Sequence, residues 1–134
     1  MTYKEKALAL HEKGYNCAQA VACAFSERVG IDEKLLYKLA EGFGAGMGNR
    51  NNVCGALSGA VLLSGLVLSS GDVSVPTKTQ TYKASGDIEE YFRTKCKATA
   101  CCDIKGLKTG VPTVSCDECI LVGVEAVEKI LLGE

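Results

Sequence analysis

The chain has 134 residues, the length of one ordinary domain, and 47% of them are hydrophobic, which is enough for a buried core. Its formal net charge is −1 and its Lys and Arg residues are scattered, so nothing favours a nucleic-acid partner or an acidic membrane surface. We therefore expect a single domain over residues 1–134 that binds no nucleic acid.

Helical patterns dominate the first forty residues. Residues 3–13 predict a short amphipathic helix. Asn16 is a good N-cap for a second helix over residues 17–29, which Gly30 closes. A third helix is predicted over residues 33–42.

A glycine-rich loop over residues 42–50 leads into the most apolar segment of the chain. This segment predicts a helix that begins near Asn51 or Asn52 and ends at about Gly71. Apolar residues cover all its faces, which is typical of a helix surrounded by others. Small residues recur in it at four-residue spacing, so a neighbouring backbone can approach closely: Gly55, Ala56, Gly59 and Ala60.

The same segment is also the candidate for a membrane span. Glycines and serines dilute it, and no cluster of Lys or Arg flanks it. We therefore expect no membrane insertion and a buried central helix instead.

The second half of the chain also predicts helices. Residues 72–86 are predicted to be a connection, and Asp87 with Glu90 resembles a capping box that starts a helix. Residues 100–113 are predicted to be a loop. Ser115 and Glu118 resemble a second capping box, which starts a last helix. The predicted buried stripe of this helix is Ile120, Val124, Val127 and Leu131. The prediction is an all-α fold, a compact bundle of about five to six helices around a buried apolar central helix.

Cysteine is the residue type whose number is unusual. The eight are Cys17, Cys23, Cys54, Cys96, Cys101, Cys102, Cys116 and Cys119. The N-terminus lacks a long apolar stretch, so we expect no secretory signal and a cytoplasmic protein. In a reducing cytosol such cysteines are more often metal ligands or redox-active thiols than a disulfide framework.

Several of these cysteines fall at predicted helix starts: Cys17, Cys54, Cys116 and Cys119. A helix N-terminus carries about half a positive charge and unpaired amide groups, which stabilise a thiolate and lower the pKa of a cysteine. Cys101 and Cys102 are expected in the loop. Cys23 and Cys96 are expected to be structural.

The glycine-rich loop favours a bound group close to the backbone. Its glycines, with one at the start of the next helix, are candidates for contact with that group: Gly44, Gly46, Gly48 and Gly55. Arg50 is the only charged residue between Gly42 and Gly71, and it either offsets the charge of a thiolate-bound cluster or lies at a solvated loop tip. Neither a phosphate loop nor a dinucleotide fingerprint fits the spacing.

The motifs described above, taken together, resemble those of a known family. The matching residues are Cys17 in "GYNCAQAV", the run "GFGAGMG", the motif "VCGALSGA" around Cys54, a cysteine near residue 101 and one at the last helix. They resemble the family of redox-active proteins that is named for its C…GCAxxG…C…C pattern. The resemblance covers nearly the whole chain.

This resemblance implies a small, helical, cysteine-rich bacterial or archaeal protein with a redox or metal-linked role. A related module occurs in split-Soret cytochromes, which carry an iron–sulfur centre, so the analogy implies an iron–sulfur cluster. The implied cysteines are Cys17, Cys54, Cys101 with Cys102 as its rival, and Cys119 with Cys116 as its rival.

Three functional hypotheses follow. The first is a redox protein whose cysteines bind an iron–sulfur cluster and exchange electrons with a partner protein. The second is a thiol–disulfide protein without metal, in which Cys17 and Cys54 are redox thiols. The third is a structural or sensor module with cysteine-bound zinc; a His-rich hydrolytic zinc site is excluded because His11 is the sole histidine. The small-residue central helix also favours a homodimer.

Overall fold

A computed structural model describes residues 1–104, 106, 110 and 114–134, and these residues form an all-α fold. Of the eight α-helical segments in these ranges, α3 and α7 are single turns. The segments are α1 Tyr3–Glu12, α2 Cys17–Ala24, α3 Ser26–Val29, α4 Glu33–Glu41, α5 Gly55–Leu68, α6 Lys78–Cys96, α7 Cys101–Ile104 and α8 Cys116–Ala126. A wider, π-type turn extends α8 over Val127–Leu131, and an irregular turn with left-handed residues covers Gly46–Arg50.

The starts of α1 and α2 are fixed by capping boxes. The Asn16 side chain accepts a hydrogen bond from the amide of Gln19, and the Gln19 side chain accepts one from the amide of Asn16. The predicted N-cap at Asn16 is therefore confirmed. Thr2 and Glu5 form the same reciprocal pair in front of α1, which we did not predict.

The predicted second helix is broken at Phe25. The backbone of Phe25 leaves the helical region, with φ of −105° and ψ of 12°, and the chain restarts as α3. The buried Phe25 ring stacks on Tyr3 of α1, with ring centroids 4.3 Å apart. Gly30 ends α3 in the left-handed region, as the sequence predicts.

Helix α5 is the centre of the bundle and packs against α2, α6 and α8. It begins at Gly55 rather than near Asn51 or Asn52, because Val53 pairs instead with Ala100 in an isolated antiparallel bridge. It ends at Leu68, a few residues before the predicted Gly71.

The small residues of α5 serve contacts within the chain. A Cβ at Gly59 would lie 2.6 Å from the carbonyl oxygen of Ala18 on α2. On α8, a Cβ at Gly123 would lie 2.8 Å from the carbonyl oxygen of Ala56. The predicted close backbone approach is confirmed. These contacts bury the small-residue face of α5 within the chain. The expectation of a homodimer was based on this face, so the structure no longer supports it.

The prediction that a helix starts at Asp87 was wrong. Helix α6 begins nine residues earlier, at Lys78, and Asp87 lies on its surface in a 3.1 Å ion pair with Lys83. No proline lies between Pro76 and the end of α6 at Cys96, so no residue of this stretch lacks the amide that a helix needs. One face of α6 is buried at every fourth residue: Ala84, Ile88, Phe92 and Cys96.

The predicted loop over residues 100–113 is only partly a loop. Its residues 101–104 form the turn of α7, while residues 105, 107–109 and 111–113 lie outside the described ranges. The Ser115 side chain accepts a hydrogen bond from the amide of Glu118 at the start of α8. Of the predicted stripe, Ile120, Val124 and Val127 are buried and Leu131 is half-buried.

The length and hydropathy of a helix decide whether it could span a membrane. In the ranges listed above, none of the helices is both long enough and apolar enough to traverse a bilayer.

Candidate thiol site

A small cavity lies where the starts of α2, α5, α7 and α8 meet. Five cysteines line it: Cys17, Cys54, Cys101, Cys116 and Cys119. The other described residues that line it are Ala45, Gly46, Gly55 and Ile104. The cavity has a volume of about 20 Å³ for the centre of a water molecule, room for about one water-sized group. We call it the thiol cavity.

Helix starts bring most of these thiols together. Cys17 is the first residue of α2, Cys54 is the N-cap of α5, and Cys116 is the first residue of α8. Cys119 lies one turn into α8. The positive ends of three helix dipoles therefore face the same cavity.

The backbone fixes Cys54 beside Cys101. The amide of Cys54 donates to the carbonyl oxygen of Thr99 at 2.7 Å, and the amide of Cys101 donates to that of Asn52 at 2.8 Å. These hydrogen bonds flank the Val53–Ala100 bridge. Two cysteines that are 47 residues apart in the sequence are thus held next to each other by two short extended segments.

The glycine-rich segment forms the wall behind Cys101. Four successive residues have positive φ: 53° at Ala45, 58° at Gly46, 66° at Met47 and 86° at Gly48. A left-handed backbone costs a non-glycine residue about 1–2 kcal/mol, so Ala45 and Met47 hold strain in this turn. Gly46 is needed for space as well, because its Cβ would lie 2.5 Å from the Cβ of Cys101.

The other predicted cofactor contacts lie in different places. Gly55 lines the cavity with Gly46, whereas Gly44 is buried against the side chain of Asn16. Gly48 and Arg50 are exposed and are not part of the cavity lining. A role for these residues in binding a cofactor stays a prediction.

The structure distinguishes the two candidate cysteines at each of the two late motif positions. Cys102 is buried but does not line the cavity, and its sulfur donates to Oδ1 of Asp103 at 3.9 Å. Cys116 and Cys119 both line the cavity. Cys116 is half-buried, whereas Cys119 is 1% exposed.

The expectation of an acidic thiol at every helix start is wrong for Cys54. Its pKa is raised, first because its thiol is hydrogen-bonded to that of Cys119 and then because it is buried. Hydrogen bonds from the amides of Ala56 and Leu57, at the start of α5, lower the pKa of Cys54. Their effect is smaller than the combined effect of Cys119 and burial. The arrangement therefore favours the neutral thiol of Cys54.

The pKa of Cys119 responds to two neighbouring thiols, those of Cys54 and Cys96. The hydrogen bond with Cys54 acts to lower the pKa of Cys119, but the hydrogen bond with Cys96 and burial together raise it. The pKa of Cys96 is lowered, mainly by the hydrogen bond with Cys119. We expected Cys96 to be structural, and no motif singled it out. The available signal was its place at the end of the four-residue stripe of α6.

The remaining candidates have structural surroundings. The Cys23 thiol is fully buried and donates to the carbonyl oxygen of Glu33 at 3.7 Å, and burial raises its pKa to about 11. Nδ1 of His11 lies 2.9 Å from the carbonyl oxygen of Tyr15.

The thiols do not have metal-site geometry as they stand. Within the described ranges, no three Cys, His, Asp or Glu side chains are arranged to hold a metal ion. No two of the described cysteines are joined in a disulfide. A metal centre would therefore require the sulfurs to move toward or around the bound group.

Comparison with protein families agrees with the resemblance in the cysteine pattern. A family model described as "Putative redox-active protein (C_GCAxxG_C_C)" matches residues 15–130, which include all the cavity cysteines. The chain belongs to this family. In this C_GCAxxG_C_C protein the matched region begins just before the cap of α2 and ends in the turn that extends α8. No curated protein and no solved structure matches the chain.

Proposed function

We propose that the thiol cavity is a redox centre that binds an iron–sulfur cluster and serves electron transfer or the handling of metal and sulfur. The observation that carries the proposal is the convergence of five cysteines, from distant parts of the sequence, on one cavity. Such convergence places several polarizable sulfur atoms, which are good ligands for iron, around one small space.

The donor set supports this proposal in type and number. Four cysteine thiolates are the usual complement of [2Fe–2S] and [4Fe–4S] clusters. Cys17, Cys54 and Cys101 would supply three of them, and Cys119 or Cys116 the fourth. The bound cluster would supply one-electron oxidation and reduction.

The surroundings favour an anionic group. The helix starts at Cys17, Cys54 and Cys116 direct partial positive charge toward the cavity. The raised pKa of Cys54 keeps its thiol protonated, and a metal ion that binds there would displace this proton. Gly46 and Gly55 leave space for a group beside the sulfurs. A cavity of about 20 Å³ is smaller than a cluster, so the glycine-rich wall would have to move outward on binding.

Burial divides the cavity into an interior and a mouth. Cys54, Cys101 and Cys119 are at most 6% exposed, so they would keep water from a bound group. Cys17 and Cys116 are half-buried. An electron-transfer partner protein would approach the side on which these two cysteines lie.

A thiol–disulfide function without metal is the second candidate. The convergence of five cysteines on one cavity favours it as well, because dithiol oxidation requires two sulfurs that can approach each other. In this case the paired loss of two thiols under mild oxidant would accompany activity.

The deciding experiment is anaerobic purification followed by measurement of iron, acid-labile sulfide, zinc and free thiols per chain. The proposal predicts about two or four irons with matching sulfide and a brown protein. About one zinc per chain without iron would select a structural or sensor module instead. A metal-free protein that loses thiols in pairs would select the thiol–disulfide function.

A further inference from the structure

The side chain of Asn16 makes hydrogen bonds in two directions. Its Oδ1 accepts from the amide of Gln19 at 2.9 Å and caps α2, whereas its Nδ2 donates to the carbonyl oxygen of Glu41 at 3.1 Å. Glu41 is the last residue of α4, where carbonyl oxygens lack a partner within the helix. A cap requires only the acceptor, which Ser or Asp would also supply. The Nδ2 donor therefore has a separate role, which is to attach the end of α4 to the start of α2.

A second contact joins Asn16 to the base of the glycine-rich wall. A Cβ at Gly44 would lie 2.3 Å from Nδ2 of Asn16 and 2.5 Å from its Cγ. Gly44 is buried, and it lies between Glu41 and the left-handed turn that begins at Ala45. The Asn16 side chain thus contacts both the end of α4 and the base of the wall that follows it.

Gln19 fixes the same helix start to α4 a second time. Its side chain is 2% exposed; Oε1 accepts from the amide of Asn16 at 2.9 Å, and Nε2 donates to the carbonyl oxygen of Tyr37 at 3.1 Å. Tyr37 lies one turn before Glu41 on α4. The capping box of α2 is therefore bonded to α4 at two carbonyl oxygens, which sets its orientation as well as its distance.

The other end of the wall contacts Cys101. The carbonyl oxygen of Gly46 accepts from the amide of Asn52 at 3.3 Å, and that of Asn52 accepts from the amide of Cys101 at 2.8 Å. Gly46 also approaches the Cβ of Cys101 directly, as described above. A continuous path of contacts therefore runs from Cys17 through Asn16 and the wall to Cys101.

We propose that Asn16 is a positioning residue of the thiol cavity and sets the separation between Cys17 and Cys101. This inference rests on the proposed function for the role of the cavity as a redox centre. Both cysteines line the cavity, and Cys17 directly follows Asn16 in the sequence. Without the bond to Glu41, the wall and Cys101 would move more easily away from Cys17. A group held between these two sulfurs would then be released faster.

Two variants break the bridge from opposite sides. Asn16→Ser keeps an N-cap for α2, but its hydroxyl is too short to reach the carbonyl oxygen of Glu41. Gly44→Ala keeps Asn16 and forces its amide aside, and no left-handed φ at Gly44 adds backbone strain. Gly42→Ala is the matched control, because Gly42 has a φ of −69° and no atom of the described residues within 4 Å of its would-be Cβ.

The measurement is the alkylation rate of each cysteine in the folded protein as purified, followed by digestion and fragment-ion mass spectrometry. In the two test variants, we expect Cys17 and Cys101 to react about fivefold faster, the factor that the loss of one hydrogen bond of average strength gives. Cys96 is fully buried and lies outside the described lining of the cavity, so it should keep its wild-type rate. The control variant should match the wild type at all three cysteines.

Three results would overturn the bridge. Equal acceleration at Cys17, Cys101 and Cys96 would mean that the substitutions loosen the whole fold. Acceleration at Cys17 alone would mean that Asn16 does not hold the wall, and unchanged rates would mean that its bond to Glu41 does not position the site.

Iron analysis of the wild type keeps this inference separate from the iron–sulfur proposal. Selective acceleration in a protein without iron supports the bridge and counts against the cluster. In an iron-loaded protein, the two test variants should also lose iron to a chelator about fivefold faster. Unchanged alkylation and unchanged iron loss would overturn the bridge while the cluster stands.

Discussion

Gly46 and Cys101 approach so closely that a Cβ at Gly46 would lie 2.5 Å from the Cβ of Cys101. The glycine-rich wall therefore determines how far Cys101 can extend into the thiol cavity. Because Gly46 has a φ of 58°, a side chain there also meets backbone strain.

We expect Gly46→Ala to destabilise the protein and to displace Cys101. The backbone strain costs about 1–2 kcal/mol, and the contact adds about 1–3 kcal/mol. Gly48→Ala is the matched control, because Gly48 also has a positive φ of 86° but no atom of the described residues within 4 Å of its would-be Cβ. Urea denaturation and iron content per chain measure the difference. Equal losses in the two variants would show that Cys101 is not restrained by Gly46.

The packing of α5 on α2 gives a second prediction. Gly59→Ala would place a methyl group 2.6 Å from the carbonyl oxygen of Ala18, so we expect a loss of about 1–3 kcal/mol in the free energy of unfolding. Gly65 lies in the same helix, and no atom in the described part of the chain is within 4 Å of its would-be Cβ. Gly65→Ala should therefore stabilise the protein by about 0.5–1 kcal/mol through helix propensity. The opposite signs are measurable by chemical denaturation, and a stabilised Gly59→Ala would contradict the close packing.

A carboxylate on α8 gives a prediction about pH. Glu125 accepts a hydrogen bond from the Tyr91 hydroxyl and pairs with Lys4 and Lys129, and these contacts, that of Tyr91 first, lower its pKa to about 2. A lowered carboxyl pKa stabilises the fold fully above the unfolded value near 4.5 and loses this effect as the pH falls toward 2.

Glu125→Gln should therefore be less stable than the wild type at pH 7, and the difference should shrink between about pH 4.5 and pH 2. Glu27→Gln, at an exposed position, is the control and should follow the wild type. Unfolding free energies measured across this range check the prediction. A difference that stays constant with pH would mean that the Glu125 charge does not contribute.

The fold class and the caps of α2 and α8 follow local rules, which is why the sequence predicts them. The capping hydrogen bonds of Asn16 and Ser115 reach only three residues along the chain. The close contacts of α5 with α2 and α8 are long-range, but the small residues at four-residue spacing that allow them are visible in the sequence. The start of α6 was mispredicted because Asp87 and Glu90 satisfy a capping pattern that packing of the Ala84–Cys96 stripe overrides.

The site was less accessible to sequence analysis. Cys17 and Cys54 stand out by their position at helix starts, but the influence of Cys119 on the pKa of Cys96 depends on how α6 packs against α8. The pairing of residues 53 and 100 is likewise long-range and too short to show a strand pattern. Likewise, the raised pKa of Cys54 depends on a neighbouring thiol that no local motif reveals.

The most direct test of the shared thiol site is the iron content of cysteine variants that are purified anaerobically side by side. Cys17→Ser, Cys54→Ser and Cys101→Ser each remove a thiol of the cavity, whereas Cys23→Ser and Cys102→Ser remove buried thiols outside it. We predict that each of the first three loses most of its iron and acid-labile sulfide, and that the other two keep wild-type amounts. Equal iron in all five variants would contradict a centre held by the cavity cysteines.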